Sequence, residues 1–407
     1  MKTRTLKWVG AALAAVLTLG SISSVGEYAT AASAGSSFSD VKTSHWAYGS
    51  VQKAVANGYV DGYTNGTFKP DASVSRAEFV KMAVAAMKLD VKDASGKWYV
   101  PYVDAATAKG LYESSDFANN EAAWNKTMTR EEMARVAARA IGQTSKEDDK
   151  WMYLATKSGL IQGVGKGQVA PKGLTTRAQS VVIIDRILTA NAGGKLSSDR
   201  YATAAAEILW HGTNIFTVMP DKFITPDSDW KNKGLSSIEE MWNEKNMTIT
   251  SKDGLYQAKL DALVAIDMAD PNDPNRGLLG DINTLNWYNG NKIGLEYVKN
   301  PIKNEKNTYV LYLKGGVIFN KDHSKYLNDP FVSYHFGGFR SPDETAFMNG
   351  KLNGATSIYR ERDGDVPAFI VPKTRTVQGF GDITISLQTP SHAHFMEIDL
   401  LRMRGTR

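Results

Sequence analysis

The sequence predicts a multidomain protein in which an all-α, three-part N-terminal domain is followed by a mainly antiparallel β-sandwich, jelly-roll-like, with one or two short helices. Three observations predict it. Between residues 37 and 190 one order of features recurs three times: an apolar helical run, a glycine, a loop, and a hydroxyl-Arg start to a second helix. Past residue 250 the apolar period shortens to the two-residue alternation of strands, broken by Gly and Asp-Gly turns. The chain has 407 residues and no cysteine, so its stability rests on packed cores, and its length suffices for two or three.

The N-terminus reads as a signal peptide over residues 1–34. Lys2, Arg4 and Lys7 precede an apolar stretch at 8–19, and two small-x-small sites follow, Ala29-Thr30-Ala31 and Ala32-Ser33-Ala34. The apolar stretch falls short of the roughly 20 residues that span a bilayer, and no later stretch is apolar enough. The formal charge is +5, of which Lys2, Arg4, Lys7 and Glu27 carry +2, leaving +3 for the mature chain. That balance argues against nucleic acid as a partner. Export without a disulfide fits a single-membrane bacterial envelope.

The first segment, 37–90, opens Phe38-Ser39-Asp40-Val41, runs through His45-Trp46-Ala47 and the helical set Val51, Ala54, Val55, and stops at Gly58. A loop ending in Lys69-Pro70 leads to Ser75-Arg76-Ala77-Glu78-Phe79. In the second segment, 91–143, Trp98 precedes Gly110 by the twelve residues that separate Trp46 from Gly58, and the second helix opens at Thr129-Arg130-Glu131-Glu132. The third, 146–190, has Gly159 and the opening Thr176-Arg177-Ala178-Gln179. From glycine to arginine the counts are 18, 20 and 18.

Each second helix begins with a capping box: Ser75 with Glu78, Thr129 with Glu132, Thr176 with Gln179. Such a box stabilises a helix start by about 1 kcal/mol. Well-made helix ends explain every residue except the arginines. Arg76, Arg130 and Arg177 sit at the positive end of a helix dipole, where a cation loses roughly 0.3–1 kcal/mol. Three repetitions of that cost point to an anion site built from free N–H groups and a guanidinium fork, with simple solvated arginines as the other reading.

These residues, in this order and spacing, resemble the S-layer homology family, whose members carry a run of the type DVxxHWA…GLIxGYxDGTFxPxxxITRAEF. The first segment matches nearly throughout; the second departs in its loop, with Trp124 where the proline would stand, and the third lacks a tryptophan aligned with Trp46. The resemblance covers the N-terminal two-fifths of the chain. It implies a pseudo-threefold arrangement of three repeats with grooves between neighbours. It also implies a partner, a pyruvylated secondary cell-wall polysaccharide whose carboxylate meets Arg76, Arg130 or Arg177. By the same likeness Asp40, Trp46 and Trp98 line grooves, against plain core packing for each tryptophan. No cofactor is implied.

Residues 191–197 read as a linker and 198–407 as a β-rich unit. Residues 198–209 and 235–244 read as short helices. Tyr256, Ala258, Leu260, Ala262, Val264, Ile266 and Met268 alternate as a strand, and Gly315-Gly316 reads as a hairpin turn between 309–313 and 317–319. Asp363-Gly364 marks another turn before 368–371, and strands at 383–387 and 395–403 close the chain. The ending Glu397-Ile398-Asp399-Leu400-Leu401-Arg402 is similar to the last strand of some carbohydrate-binding modules.

Chemical motifs here are sparse. His392-Ala393-His394 with Glu397 resembles the first metal motif of cupins, but on a strand the glutamate faces away from both histidines. Asp267, Asp270 and Asp273 offer oxygen ligands for calcium, and a proline-rich turn around Pro274 explains them as well. No nucleophile elbow or phosphate-binding loop is present. The reading is a secreted, wall-anchored surface or S-layer protein of a Gram-positive-type bacterium, displaying a ligand-binding or structural unit for a glycan or protein. The alternative is an anchored cell-wall or polysaccharide hydrolase.

Overall fold

The computed structural model describes residues 38–93, 95–339, 342–374 and 381–405. The signal-peptide reading of 1–34 lies outside the described residues.

The first part contains α1 (Tyr48–Ala56), α2 (Arg76–Ala86), α3 (Val100–Ala108), the single turn α4 (Glu121–Trp124), α5 (Arg130–Ala140), α6 (Lys150–Lys157) and α7 (Arg177–Asn191). Helix α3 lies against α2, α6 against α5, and α1 returns to α7. The recurring glycines end α1, α3 and α6 in the left-handed conformation, with φ of +71° at Gly58, +75° at Gly110 and +74° at Gly159. The next residue then bonds back five positions: Tyr59 N–H to Ala54 O, Leu111 to Ala106 and Leu160 to Ala155. This is a Schellman stop, which favours glycine because it needs positive φ.

The extended residues before α2, α5 and α7 pair with one another. Val74 N–H donates to Thr175 O (3.0 Å), Thr175 N–H to Met128 O (2.9 Å), and Met128 N–H to Val74 O (2.9 Å), which closes a ring of three backbone bonds. The N–H of each arginine makes an outer bond, Arg76 to Lys126 O, Arg130 to Gly173 O and Arg177 to Ala72 O.

The chain continues through α8 (Arg200–His211), α9 (Ile215–Val218) and α10 (Asp227–Lys231) into strands β1 (Thr248–Thr250), β2 (Tyr256–Asp267), β3 (Asn286–Trp287), β4 (Lys292–Ile293), β5 (Glu296–Tyr297), β6 (Thr308–Asn320) and β7 (Ser333–Gly337). Helix α11 (Glu344–Met348) precedes β8 (Thr356–Tyr359), β9 (Ala368–Pro372), β10 (Ile383–Gln388) and β11 (Glu397–Met403). Among the described residues the strands form three antiparallel sheets, ordered β1-β2-β6-β9-β8-β3, β11-β10-β7 and β4-β5. One face of the six-stranded sheet shares a core with the three-stranded sheet and α9, through Tyr256, Leu263, Leu311, Ile385 and Leu401. Its other face packs on Leu279, Ile302 and Phe347.

The expected all-α trimer-like domain followed by a β-sandwich is overturned. The structure is mixed, about 31% helical and 20% strand, with three sheets. The helical part is closed by β-bridges at Ser73–Thr176, Ser75–Thr127 and Thr129–Leu174, and helices accompany the strands beyond it. The six-stranded sheet buries both faces, so α9, α11 and 3-10 turns must cover what a second sheet does not. The expected hairpin at Gly315-Gly316 is instead the continuous middle of one strand, β6, facing a bulge at Asp261 of β2, between Leu260 and Ala262. That bulge explains why Leu263 and Ala265 join the same core as Tyr256 and Leu260 although they fall out of phase with them.

Helix α8 lies along α6 and joins the two parts. Trp210 is buried, stacks on Tyr153 (5.1 Å between ring centroids), and donates its indole N–H to Glu147. Lys150 pairs with Glu240, while the Tyr153 hydroxyl (2.9 Å) and Lys157 (2.5 Å) both reach Glu239 Oε1. The wholly buried Glu207 of α8 accepts the N–H groups of Phe216 (3.1 Å) and Thr217 (2.9 Å), capping α9. Leu196 and Ser197 pack so closely on Gly159 that a Cβ there would lie 2.8 Å from the Leu196 side chain.

Two outcomes follow. A Cβ at Gly315 would sit 2.3 Å from Lys259 O, so Gly315→Ala should destabilise the β-rich part by roughly 1–3 kcal/mol, read by urea unfolding. Burial alone would raise the Glu239 carboxyl, but the Lys157 ammonium, together with hydrogen bonds from Ser237 and the backbone, outweighs it and holds the group down at about 2. A depressed carboxyl pKa contributes stability above the unfolded value near 4.5 and loses it as pH falls toward 2. The stability difference between wild type and Glu239→Gln should therefore shrink across that window in parallel acid titrations.

Candidate functional site

All three helix starts carry the reciprocal cap. Ser75 Oγ accepts from Glu78 N (3.2 Å) while Glu78 Oε2 accepts from Ser75 N (2.7 Å). Thr129 and Glu132 exchange bonds of 3.3 and 3.0 Å, and Thr176 and Gln179 bonds of 3.2 Å each.

Each arginine reaches out of its own segment and into the loop of another. Arg177 donates from Nε to Phe68 O and from Nη2 to Asp61 O, both at 2.9 Å, in the first segment's loop. Arg130 makes the equivalent pair in the third segment's loop, from Nε to Val169 O (2.9 Å) and from Nη2 to Gln162 O (2.8 Å). Arg76 enters the second loop differently: Nη1 donates to Ala123 O (2.9 Å), Nη2 pairs with Glu132, and the guanidinium lies 4.1 Å from the Phe117 ring centroid. Arg130 and Arg177 are buried, and desolvation lowers the Arg130 pKa from its ordinary value. Backbone carbonyls thus offset the cost of a cation at the helix's positive end. Arg130 and Arg177 each keep Nη1 without a protein hydrogen-bond partner among the described residues.

Asp40 fastens the end of the first loop, accepting Phe68 N–H and Lys69 N–H at 2.8 Å each. The first loop also brings Tyr63 to Arg177 (5.2 Å) and to Lys69 (4.0 Å). Trp46 is 64% exposed and stacks on His45 (5.6 Å). Trp98 is 42% exposed, lies edge-on to Tyr99, and shares Lys81 with Tyr102 at 5.8 and 5.7 Å. Sequence reasoning did not single out Tyr63, Lys69, Lys81 or Tyr102. The only signal for Lys81 was its place five residues after Arg76, one helical turn and a half along the same helix.

The oxygen-rich loop is spent on protein donors. Asp267 binds Lys373 and Arg200, Asp270 binds the Tyr201 hydroxyl, and Asp273 accepts the N–H groups of Asp267 and Asn275. His392 and His394 are exposed, and Glu397 binds Ser386 and Gln388. Among the described residues no group of three or more His, Asp or Glu is placed to hold a metal. No described helix is long and apolar enough to cross a membrane.

Residues 37–80 match the S-layer homology domain. The chain is similar to an exoglucanase, XynX, of Acetivibrio thermocellus, 33% identical over 180 residues that cover 37% of this chain and 16% of that protein. An amylopullulanase of Thermoanaerobacterium thermosulfurigenes is 32% identical over 180 residues, 37% of this chain and 9% of its own. An S-layer protein of Bacillus thuringiensis subsp. finitimus is 32% identical over 92 residues, 21% of this chain and 11% of its own. The chain spans less than a fifth of the length of each of these relatives. The domain and these relatives indicate a bacterial protein associated with the cell surface or cell wall.

Arg177→Lys keeps the charge and loses the fork that spans Phe68 O and Asp61 O. It should cost about 1.5–3 kcal/mol of stability, read as a lower Tm, with Arg130→Lys behaving alike.

Proposed function

We propose that the chain is held non-covalently on a pyruvylated, peptidoglycan-linked secondary cell-wall polysaccharide by three S-layer homology repeats at 37–90, 91–143 and 146–190, and displays residues 198–407 as a ligand-binding or structural unit. The observation that carries this reading is the cap, arginine and loop arrangement of the matched segment, found twice more along the chain. A ketal carboxylate meets the remaining Nη1 of an arginine whose other donors hold the loop in place, and an exposed tryptophan offers a flat face to the sugar ring. Arg177, with Tyr63, Lys69 and Asp40 in the first loop, is the best-equipped centre; Arg76 already has a carboxylate partner in Glu132. An anchored hydrolase is the second reading, favoured by the names of two relatives that share the N-terminal stretch.

The mature full-length chain should sediment with purified Gram-positive-type walls and stay in solution after the ketals are removed by mild acid. Trp46→Ala, with the fold intact by circular dichroism, should lower the bound fraction several-fold. Equal sedimentation with stripped walls would overturn the assignment. Zymograms on wall material and on soluble polysaccharide should stay dark, and a lytic band would favour the hydrolase.

A further inference from the structure

The three clefts in which a first helix lies against a second are not equivalent. At α3 against α2, Trp98 stands twelve residues before Gly110, and Lys81, five after Arg76, has no carboxylate partner among the described residues. At α1 against α7, Trp46 stands at the matching place and is the more exposed of the two. At α6 against α5, the residue twelve before Gly159 is Glu147, and the residue five after Arg130 is Arg135.

Arg135 is spent, paired with Asp116 at 2.9 Å and Asp148 at 3.2 Å. Glu147 and Asp148 are exposed and place two negative charges where the other clefts place an indole. The outer flank of α6 carries Lys150, Tyr153 and Lys157, where α1 has Gly49, Gln52 and Ala56 and α3 has Pro101, Asp104 and Ala108. That flank is covered by Trp210, Glu239 and Glu240. The loop of the third segment is covered too. Gly163 N–H donates to Asp199 (3.1 Å), and a Cβ on Gly167 would lie 2.7 Å from Pro274 and 3.6 Å from Tyr201.

We propose that the third segment is the seat of the chain's own C-terminal part rather than a polymer site, so that the protein engages the wall through two clefts, one at Trp46 and one at Trp98. The inference rests on the anchoring reading above. Beside the remaining Nη1 of Arg130, a polyanion meets Glu147 where the other clefts present an exposed indole, and a loop already occupied by Asp199, Tyr201 and Pro274. The same substitutions that remove the ligand groups supply the docking groups, since Glu147 is the acceptor for Trp210.

The test uses the mature full-length chain and soluble pyruvylated polysaccharide fragments released from purified walls, followed by isothermal titration. Wild type should bind two equivalents, Trp46→Ala and Trp98→Ala one each, and the double variant none. Three equivalents, or retained binding in a folded double variant, would overturn the proposal while leaving anchoring intact. No binding by wild type would overturn anchoring and the valency together. Docking is read separately by hydrogen exchange: Trp210→Ala should raise exchange in α6 at least tenfold over wild type while leaving α1 and α3 unchanged. Unchanged exchange in α6 would overturn the seat.

Discussion

Everything in the N-terminal half hangs on three backbone hydrogen bonds, from Val74 to Thr175, Thr175 to Met128 and Met128 to Val74. Each joins residues far apart in sequence, and each immediately precedes a capped helix. A segment by itself would leave one donor and one acceptor of this ring without their protein partners. The segments are therefore folding partners rather than independent beads. The arginine side chains repeat that logic one layer out, each filling carbonyls that belong to a different segment.

The parts of this architecture that were legible in the sequence are those whose partners lie a few residues away. Glycine stops and capping boxes involve atoms three to five positions apart, so Gly58, Gly110, Gly159 and the hydroxyl-acid or hydroxyl-amide pairs announce themselves. The direction taken by each arginine was not legible. Its partners are main-chain carbonyls of Asp61, Phe68, Gln162 and Val169, and a carbonyl has no residue-type signature. The sequence reading set an anion site against solvated arginines at these positions, and the structure adds a role that neither reading contained, the pairing of each guanidinium with another segment's loop.

The β-rich half shows the same limit. The alternation from Tyr256 marked a strand, but Gly315-Gly316 carries the composition of a turn and the geometry of a strand facing a bulge. Only the long-range pairing with Leu260 and Ala262 distinguishes the two, because there a side chain would strike Lys259 O. Helix α8 was visible as an alanine-rich stretch, whereas its seat on α6 depends on Trp210 meeting Tyr153 and Glu147, which stand far earlier in the chain. Mixed architecture follows from such long-range choices.

The seating of α8 on α6 has a mechanical consequence. The connection between α7 and α8 is not a slack tether, since Leu196 and Ser197 lie on Gly159 and α8 runs along α6. Separating the C-terminal sheets from the ringed helices would have to break a stacked tryptophan and two ion pairs together. Contacts that must break together resist more than contacts that open one after another, so the joint holds the two parts as one body.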